Sequence, residues 1–186
     1  MRLVDSHSHF DVRDFDADRD AALARARAAG VDTQVIPAYV ASGWERLREV
    51  CAAHEGLHAA YGLHPVYLHE HRAEHLDALP GWIERERPCA VGECGLDWFI
   101  DNPDRDRQQA ILARHLELAK DCGLPVILHA RRAVDDVTAA LRRVLVQQHG
   151  IEGGAEDLRL LADVLVAAVA GRADHHAAAV AGHRVD

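Results

Sequence analysis

Short apolar runs alternate with amphipathic stretches over the first 148 residues of the chain. Runs that are short, apolar and bounded by glycine, proline or polar residues are typical of strands. Five of them predict strands at about 3–4, 31–38, 57–63, 89–93 and 124–128. The stretches between them have helical periodicity with capping residues at their ends, which predicts helices at about 18–29, 43–54, 72–87 and 104–122 and another from about 135. Pro80 is expected to divide the third of these helices in two.

Alternation of strand and helix predicts an α/β fold in which helices cover a parallel sheet. The pattern ends near residue 148, which sets the expected boundary of the regular portion at 1–148. Residues 149–186 form a divergent tail, in which we expect a helix at about 155–170, after the Gly153-Gly154 break. The remainder, rich in Ala, Val, His and Gly, is expected to be poorly ordered.

Composition narrows the class of protein. The formal net charge of −9 argues against a protein that holds duplex nucleic acid on a broad basic face. No apolar run approaches the roughly 18 residues of a membrane span, so no membrane partner is expected. The start of the chain lacks the features of a signal peptide. Four cysteines without Cys-x-x-Cys spacing are typical of reduced thiols, and a cytoplasmic location is expected.

Candidate metal ligands follow four of the predicted strands. His7 and His9 follow the first strand, and their i, i+2 spacing lets both imidazoles face one cavity. His64 follows the third strand, Glu93 ends the fourth and His129 ends the fifth. Because active sites of parallel α/β folds lie at the carboxyl ends of strands, these side chains are expected to converge.

A site built from three of these histidines and Glu93 suits Zn²⁺, Mn²⁺, Fe²⁺ or Ni²⁺, and a glutamate can bridge two ions. Each residue also has a plainer interpretation. Glu93 could pair with Arg131, His129 could be a satisfied core histidine, and His64 could be a turn residue. Arg131 and Arg132 could fork onto a substrate phosphate or form solvated charge pairs.

The candidate ligands lie within four sequence blocks. The blocks are Val4-Asp5-Ser6-His7-Ser8-His9-Phe10, Gly62-Leu63-His64-Pro65, Val91-Gly92-Glu93-Cys94-Gly95-Leu96-Asp97 and Leu124-Pro125-Val126-Ile127-Leu128-His129-Ala130-Arg131. Together they resemble the signature blocks of TatD-type metal-dependent hydrolases, and they match in order and spacing from Met1 to about Arg143.

The resemblance implies a TIM-type (β/α) barrel and a deoxyribonuclease or related phosphodiester hydrolase that uses two divalent metal ions, Mg, Mn or Zn. By that likeness His7 and His9 bind one ion, Glu93 bridges both and has a catalytic role, and His129 binds the second. His64 is placed near the substrate phosphate as a catalytic residue, and Arg131 is the candidate substrate-binding residue. DNA or another phosphodiester is the transient partner that the family implies.

The C-terminal part departs from the family pattern. The His-x-Phe-Ser-Gly-like and Glu-Thr-Asp blocks of the family have no counterpart here, so we expect an incomplete barrel of about five strands. Asp163 is the nearest substitute for the missing aspartate. An open sheet edge predicts self-association. The alternatives to a deoxyribonuclease are a catalytically impaired, truncated member of the family and an amidohydrolase that acts on another ester or amide.

Overall fold

Strands and helices alternate in the structure, a computed structural model that describes residues 2–149 and 167–169. The strands are β1 (Leu3–Asp5), β2 (Val31–Pro37), β3 (Leu57–Tyr61), β4 (Ala90–Asp97), β5 (Val126–Arg131) and β6 (Ala167–Val169). The helices are α1 (Arg19–Ala28), α2 (Trp44–Ala53), α3 (Ala73–Glu86), α4 (Arg105–Cys122) and α5 (Val134–His149). Short 3₁₀ segments cover Arg13–Phe15, Ala41–Gly43 and Pro65–Glu70.

The described strands form one parallel sheet whose order, β1-β2-β3-β4-β5-β6, follows the chain. Parallel strands joined in sequence by helices curl into a half-barrel with the helices outside. The predicted α/β architecture and all five predicted strands are therefore confirmed. The carboxyl ends of the strands share one rim, which is where the candidate ligands were expected.

Local capping signals explain both limits of α4. Asp104 begins α4, because its Oδ1 accepts a hydrogen bond from the Arg107 N–H at 3.1 Å, and Gly123 ends it in the left-handed region at φ +64°. One expectation was wrong, because Pro80 lies inside the single helix α3 rather than dividing it. Helix α2 follows a 3₁₀ turn and has no side-chain hydrogen bond at its N-cap, Gly43. None of the described helices is long and apolar enough to cross a bilayer.

Strands β4 and β1 differ in how far they are buried. All eight residues of β4 are buried, because β3 and β5 pair with its two edges and α4 packs against it. Strand β1 is much less buried than β4. Among the described strands β1 pairs with β2 alone, and Leu3 and Val4 are 38% and 64% exposed.

The predicted tail falls largely outside the described residues. The helix expected at about 155–170 has only its 167–169 portion within them, and those residues form β6 beside β5. The expected poor order after residue 170 and the substitute ligand Asp163 lie outside the described part of the chain.

Candidate metal centre

Glu93 lies at the centre of the site and is only 1% exposed. The sequence placed it at the end of a strand, but β4 continues to Asp97, so Glu93 lies inside the strand. The register between β4 and β5 shifts between Val91 and Cys94, and the Glu93 N–H donates to the Ala38 carbonyl at 3.0 Å. A local irregularity in the ladder is a common way to re-aim a side chain, and here it lies at Glu93 itself.

Each carboxylate oxygen of Glu93 faces two imidazoles. Oε2 lies 3.0 Å from His7 Nε2 and 3.8 Å from His9 Nε2. Oε1 lies 3.3 Å from His64 Nε2 and 3.4 Å from His129 Nδ1. The structure thus brings together all five side chains that the sequence placed beyond or at strand ends. The alternative partner, Arg131, makes no ion pair with Glu93 among the described contacts.

These separations fit the chemistry of divalent cation binding. Neighbouring donors about 2.0–2.2 Å from one ion lie roughly 3.0–3.5 Å apart in octahedral or tetrahedral coordination. The imidazole–carboxylate distances of 3.0, 3.3 and 3.4 Å fall in that range, and the His9 distance of 3.8 Å is slightly longer. Two groups of three candidate donors share the glutamate, His7–His9–Glu93 and His64–Glu93–His129, and the donor atoms of each group lie within 4.8 Å of one another.

A second carboxylate orients His129. Its Nε2 lies 2.8 Å from Asp97 Oδ2, so Nε2–H donates to Asp97 while Nδ1 faces Glu93. Asp97 Oδ1 in turn accepts the N–H groups of Phe99 at 2.8 Å and Ile100 at 3.2 Å. Metal-binding histidines are commonly held through their second ring nitrogen in this way, which fixes the tautomer and the ring orientation.

The charges of the site are mutually stabilised. Burial disfavours the charged form of Glu93, but interactions with His64, His129 and His7 hold its pKa well below the usual range. Burial lowers the pKa of His129, and hydrogen bonds to Asp97 and Glu93 outweigh this and raise it to about 9. Since a metal ion binds only the unprotonated nitrogen, a cation at His129 must displace a proton there.

The hydrogen bonds of His64 distinguish it from His129. His64 Nδ1 accepts the Val66 N–H at 3.2 Å, so in the neutral ring the proton lies on Nε2. The His64 carbonyl accepts a hydrogen bond from His71 Nε2 at 2.8 Å, which anchors the loop after β3. An Nε2–H group is a hydrogen-bond donor rather than a metal ligand. This arrangement suits contact with an anionic oxygen better than coordination of an ion.

Two buried polar side chains of α4 support the rim from below. Gln108 Oε1 accepts the Asp97 N–H at 2.7 Å, and its Nε2 donates to the Asp97 carbonyl at 3.3 Å. His115 Nε2 accepts the Leu63 N–H at 3.0 Å, beside His64 in the chain. Both side chains are almost fully buried, so α4 fixes the ends of β3 and β4 by hydrogen bonds as well as by packing.

Arg131 and Arg132 lie at the end of β5, on the other side of the centre from His7. Their guanidinium carbons lie 3.8 Å and 4.3 Å from the centroid of the Phe99 ring, which belongs to a residue that is 40% exposed. Arg131 NH1 also lies 4.0 Å from Asp97 Oδ2. Arg131 is therefore at the rim, where it is held by an aromatic face and a carboxylate.

Sequence reasoning missed the roles of Asp97 and Gln108. Asp97 had a usable signal, because it ends a largely apolar run within a block that already contained Glu93, and a carboxylate in that place needs a partner. Gln108 had none. It follows the helical period of α4 like its apolar neighbours, and only the packed structure shows that it contacts Asp97.

Comparison with known proteins places these residues in a family context. The family model described as "TatD related DNase" matches residues 4–170. YjjV of Escherichia coli K12, an uncharacterised metal-dependent hydrolase, is 42% identical over 156 residues, which cover 82% of this chain and 60% of YjjV. The "3'-5' ssDNA/RNA exonuclease TatD" of Pantoea is 34% identical over 129 residues, covering 69% of this chain and 50% of that protein.

A solved structure supports the fold. The crystal structure of YjjV, a TatD homologue from Escherichia coli K12, matches with a TM-score of 0.77 and 37% identity, covering 90% of this chain and 67% of that one. The chain thus spans about 60% of the length of the curated relative YjjV and about 50% of the Pantoea protein.

Proposed function

The chain belongs to the TatD-related DNase family, and from that premise we propose that it is a divalent-metal-dependent hydrolase of phosphodiester bonds in DNA. One observation carries the proposal. The buried Glu93 presents each of its two oxygens to a pair of histidines at the rim of a parallel sheet. A carboxylate whose two oxygens face different pairs of imidazoles is the arrangement expected of a residue that would bridge two cations.

We propose that His7, His9 and Glu93 Oε2 hold one cation, and that His129 Nδ1 and Glu93 Oε1 hold a second. The nitrogen-rich donor set suits Mn²⁺ or Zn²⁺ better than Mg²⁺, which prefers oxygen ligands. When bound, such a pair of ions would supply Lewis acidity and would lower the pKa of a coordinated water molecule towards neutrality. The protein contributes the orientation of the ligands, of which the Asp97–His129 hydrogen bond at 2.8 Å is one part.

The remaining residues act on the substrate directly. His64 Nε2–H is proposed to donate a hydrogen bond to an oxygen of the scissile phosphate, because the Val66 N–H keeps its proton on that nitrogen. Arg131 is proposed to contact the phosphate as well, since its guanidinium lies at the rim over Phe99. In both cases the protein supplies positive charge or N–H donors where the phosphate carries negative charge.

DNA is the proposed substrate class because of the names that relatives carry. Relatives carry the names "Putative deoxyribonuclease" and "3'-5' ssDNA/RNA exonuclease TatD". The net charge of −9 leaves little electrostatic attraction for a duplex backbone, so binding must depend on contacts at the centre itself. A short single strand is therefore a more suitable test substrate than duplex DNA.

A Glu93→Gln variant tests the function. Cleavage of a single-stranded oligonucleotide with added Mn²⁺ is expected to fall by on the order of 100-fold or more, because the neutral amide cannot bridge two ions. Bound metal after dialysis, measured by elemental analysis, should fall with it. Glu84→Gln is the matched control, since Glu84 is exposed on α3, outside the sheet that carries the site. Equal, metal-independent cleavage by wild type and Glu93→Gln would refute the proposal.

A cytoplasmic location is also proposed, supported by four cysteines that are all free thiols in the structure, Cys51, Cys89, Cys94 and Cys122. Fractionation of cells that express a tagged chain tests this. Recovery of the protein in an oxidising compartment with modified thiols would contradict it.

Self-association through the β1 edge is a separate proposal. Its support is the exposure of Leu3 and Val4 on a strand with one described neighbour. Sedimentation of wild type and Val4→Lys at several concentrations tests it, because a charged edge opposes strand pairing. A wild type that stays monomeric over the whole range would contradict this proposal.

A further inference from the structure

A cleft of about 850 Å³ opens directly beside the metal centre. His9 and His64, from the two sides of that centre, form one end of it. Its other walls come from segments that follow β1 and β2 and from the 3₁₀ segment after β3, including Tyr39 and Tyr67. A cavity of this size is within the range that binds a small organic ligand, and it is much larger than a metal-bound phosphate requires.

Tyr39 and Tyr67 join the two sides of the centre. Their ring centroids lie 5.0 Å apart with an interplanar angle of 36°. Tyr39 also lies 5.6 Å from the His9 ring, and Tyr67 lies 5.9 Å from the His64 ring. The four rings form a continuous aromatic wall from one candidate ligand, His9, to the proposed phosphate contact, His64.

Backbone hydrogen bonds fix this wall relative to the centre. The Tyr39 carbonyl accepts the His64 N–H at 2.9 Å, and the Tyr67 N–H donates to the His64 carbonyl at 3.1 Å. Both tyrosine side chains are partly exposed. They are thus held in place without being part of the core, as a binding surface requires.

The cleft is poorly suited to a second phosphate. Arg46, one of the two arginines that line it, already donates to the Asp11 carbonyl and pairs with Asp16. Asp11 adds a nearly buried carboxylate, 4% exposed, whose Oδ1 accepts no hydrogen bond from a described residue. An uncharged ligand with an aromatic face and a hydrogen-bond donor fits these walls better than an anion does.

We propose that Tyr39 and Tyr67 form a stacking subsite for an unpaired nucleobase whose phosphate lies at the metal centre. The inference rests on the proposed function and adds the base next to the reacting phosphate as a recognised group. Aromatic side chains stack on any base, since every base has a π face, so the subsite binds bases with little sequence preference. A paired base is already stacked on its neighbours, so the subsite selects single-stranded ends or unpaired segments.

Calorimetric binding of two ligands that differ only in the base tests the subsite. Deoxyadenosine monophosphate and 2-deoxyribose 5-phosphate are titrated into the Mn²⁺-loaded full chain. Wild type is expected to bind the nucleotide at least about tenfold more tightly, since stacking on an aromatic residue is worth a factor of about 5–150 per base. Tyr67→Leu and Tyr39→Leu should each lose most of that difference while binding the sugar phosphate unchanged, and Tyr67→Phe and Tyr39→Phe should retain it.

Several outcomes overturn the proposal. Wild type that binds both ligands equally, or leucine variants that keep the full preference for the nucleotide, each contradict it. Leucine variants that lose both ligands equally indicate a structural role for the tyrosines, which also contradicts it. If the leucine variants do not fold, the wild-type comparison still decides. Base-dependent binding without DNA cleavage would contradict the proposed function alone, and cleavage without base-dependent binding would contradict the subsite alone.

Discussion

Substitution of Gly95 by alanine tests the close approach of β4 and β5 at the centre. Gly95 lies opposite His129 in the parallel ladder and has φ +147°, a region open almost only to glycine. A Cβ at this position would lie 1.9 Å from the His129 carbonyl oxygen and 2.8 Å and 2.9 Å from its backbone C and N. All three are backbone atoms, so no side-chain rotation relieves the clash.

The expected cost has two parts. A residue other than glycine at such a φ is strained by about 1–3 kcal/mol. Forcing a methyl group into a packed backbone contact adds about 1–3 kcal/mol. The sum, roughly 2–6 kcal/mol, is a large fraction of the roughly 5–15 kcal/mol that stabilises an ordinary domain. The variant is therefore expected to unfold at much lower denaturant concentration, and displacement of His129 is expected to weaken metal binding.

Two other glycines separate these contributions. Gly123 has φ +64°, and a Cβ there would have open space for 4 Å around it among the described residues, so Gly123→Ala carries backbone strain alone. That strain is about 1–2 kcal/mol. Gly81 lies inside α3 with an ordinary φ and similar open space. Gly81→Ala should stabilise the protein by about 0.5–1 kcal/mol, because alanine is the better helix former.

Urea unfolding followed by tryptophan fluorescence measures the free energy of unfolding for the series. The expected order of stability is Gly81→Ala, wild type, Gly123→Ala and then Gly95→Ala. A Gly95→Ala variant within about 1 kcal/mol of Gly123→Ala would show that β4 and β5 tolerate a side chain between them, which the steric part of the argument excludes.

Contacts within the site and below it lead to three further predictions. Asp97→Asn should weaken metal binding by about 10–100-fold in a titration, because the amide holds His129 less well, and unchanged affinity would contradict this. Burial lowers the pKa of His115 to about 4, below an unfolded value near 6.5, so its contribution to stability is complete above pH 6.5 and is lost as the pH falls towards 4. His115→Gln should therefore show a shallower loss of unfolding free energy over that window, by up to about 1.4 kcal/mol per pH unit, and parallel slopes would contradict the assignment. Mn²⁺ at 100 times its Kd should add about 2.7 kcal/mol to the stability of wild type, reversibly with chelator, and Glu93→Gln should gain nothing in the same thermal scans.

The sequence alone determined the parts of this protein that depend on local pattern. Hydrophobic periodicity and capping residues such as Asp104 and Gly123 predicted the order of strands and helices, because each signal lies within one element. The histidines at strand ends were also visible, since parallel strands in an α/β fold end at one rim. His7, His64 and His129 could be named before any contact between them was known.

Only the tertiary structure decided how those residues are used. It placed Glu93 inside β4 with one oxygen towards His7 and the other towards His129, and it joined His129 to Asp97. It also showed that Leu3 and Val4 of β1 are exposed and that Tyr39 lies beside Tyr67. Each of these facts depends on how residues far apart in the chain are arranged in space. Sequence spacing carries no information about such distances, because they are set by how the sheet curls and how the loops at its rim pack together.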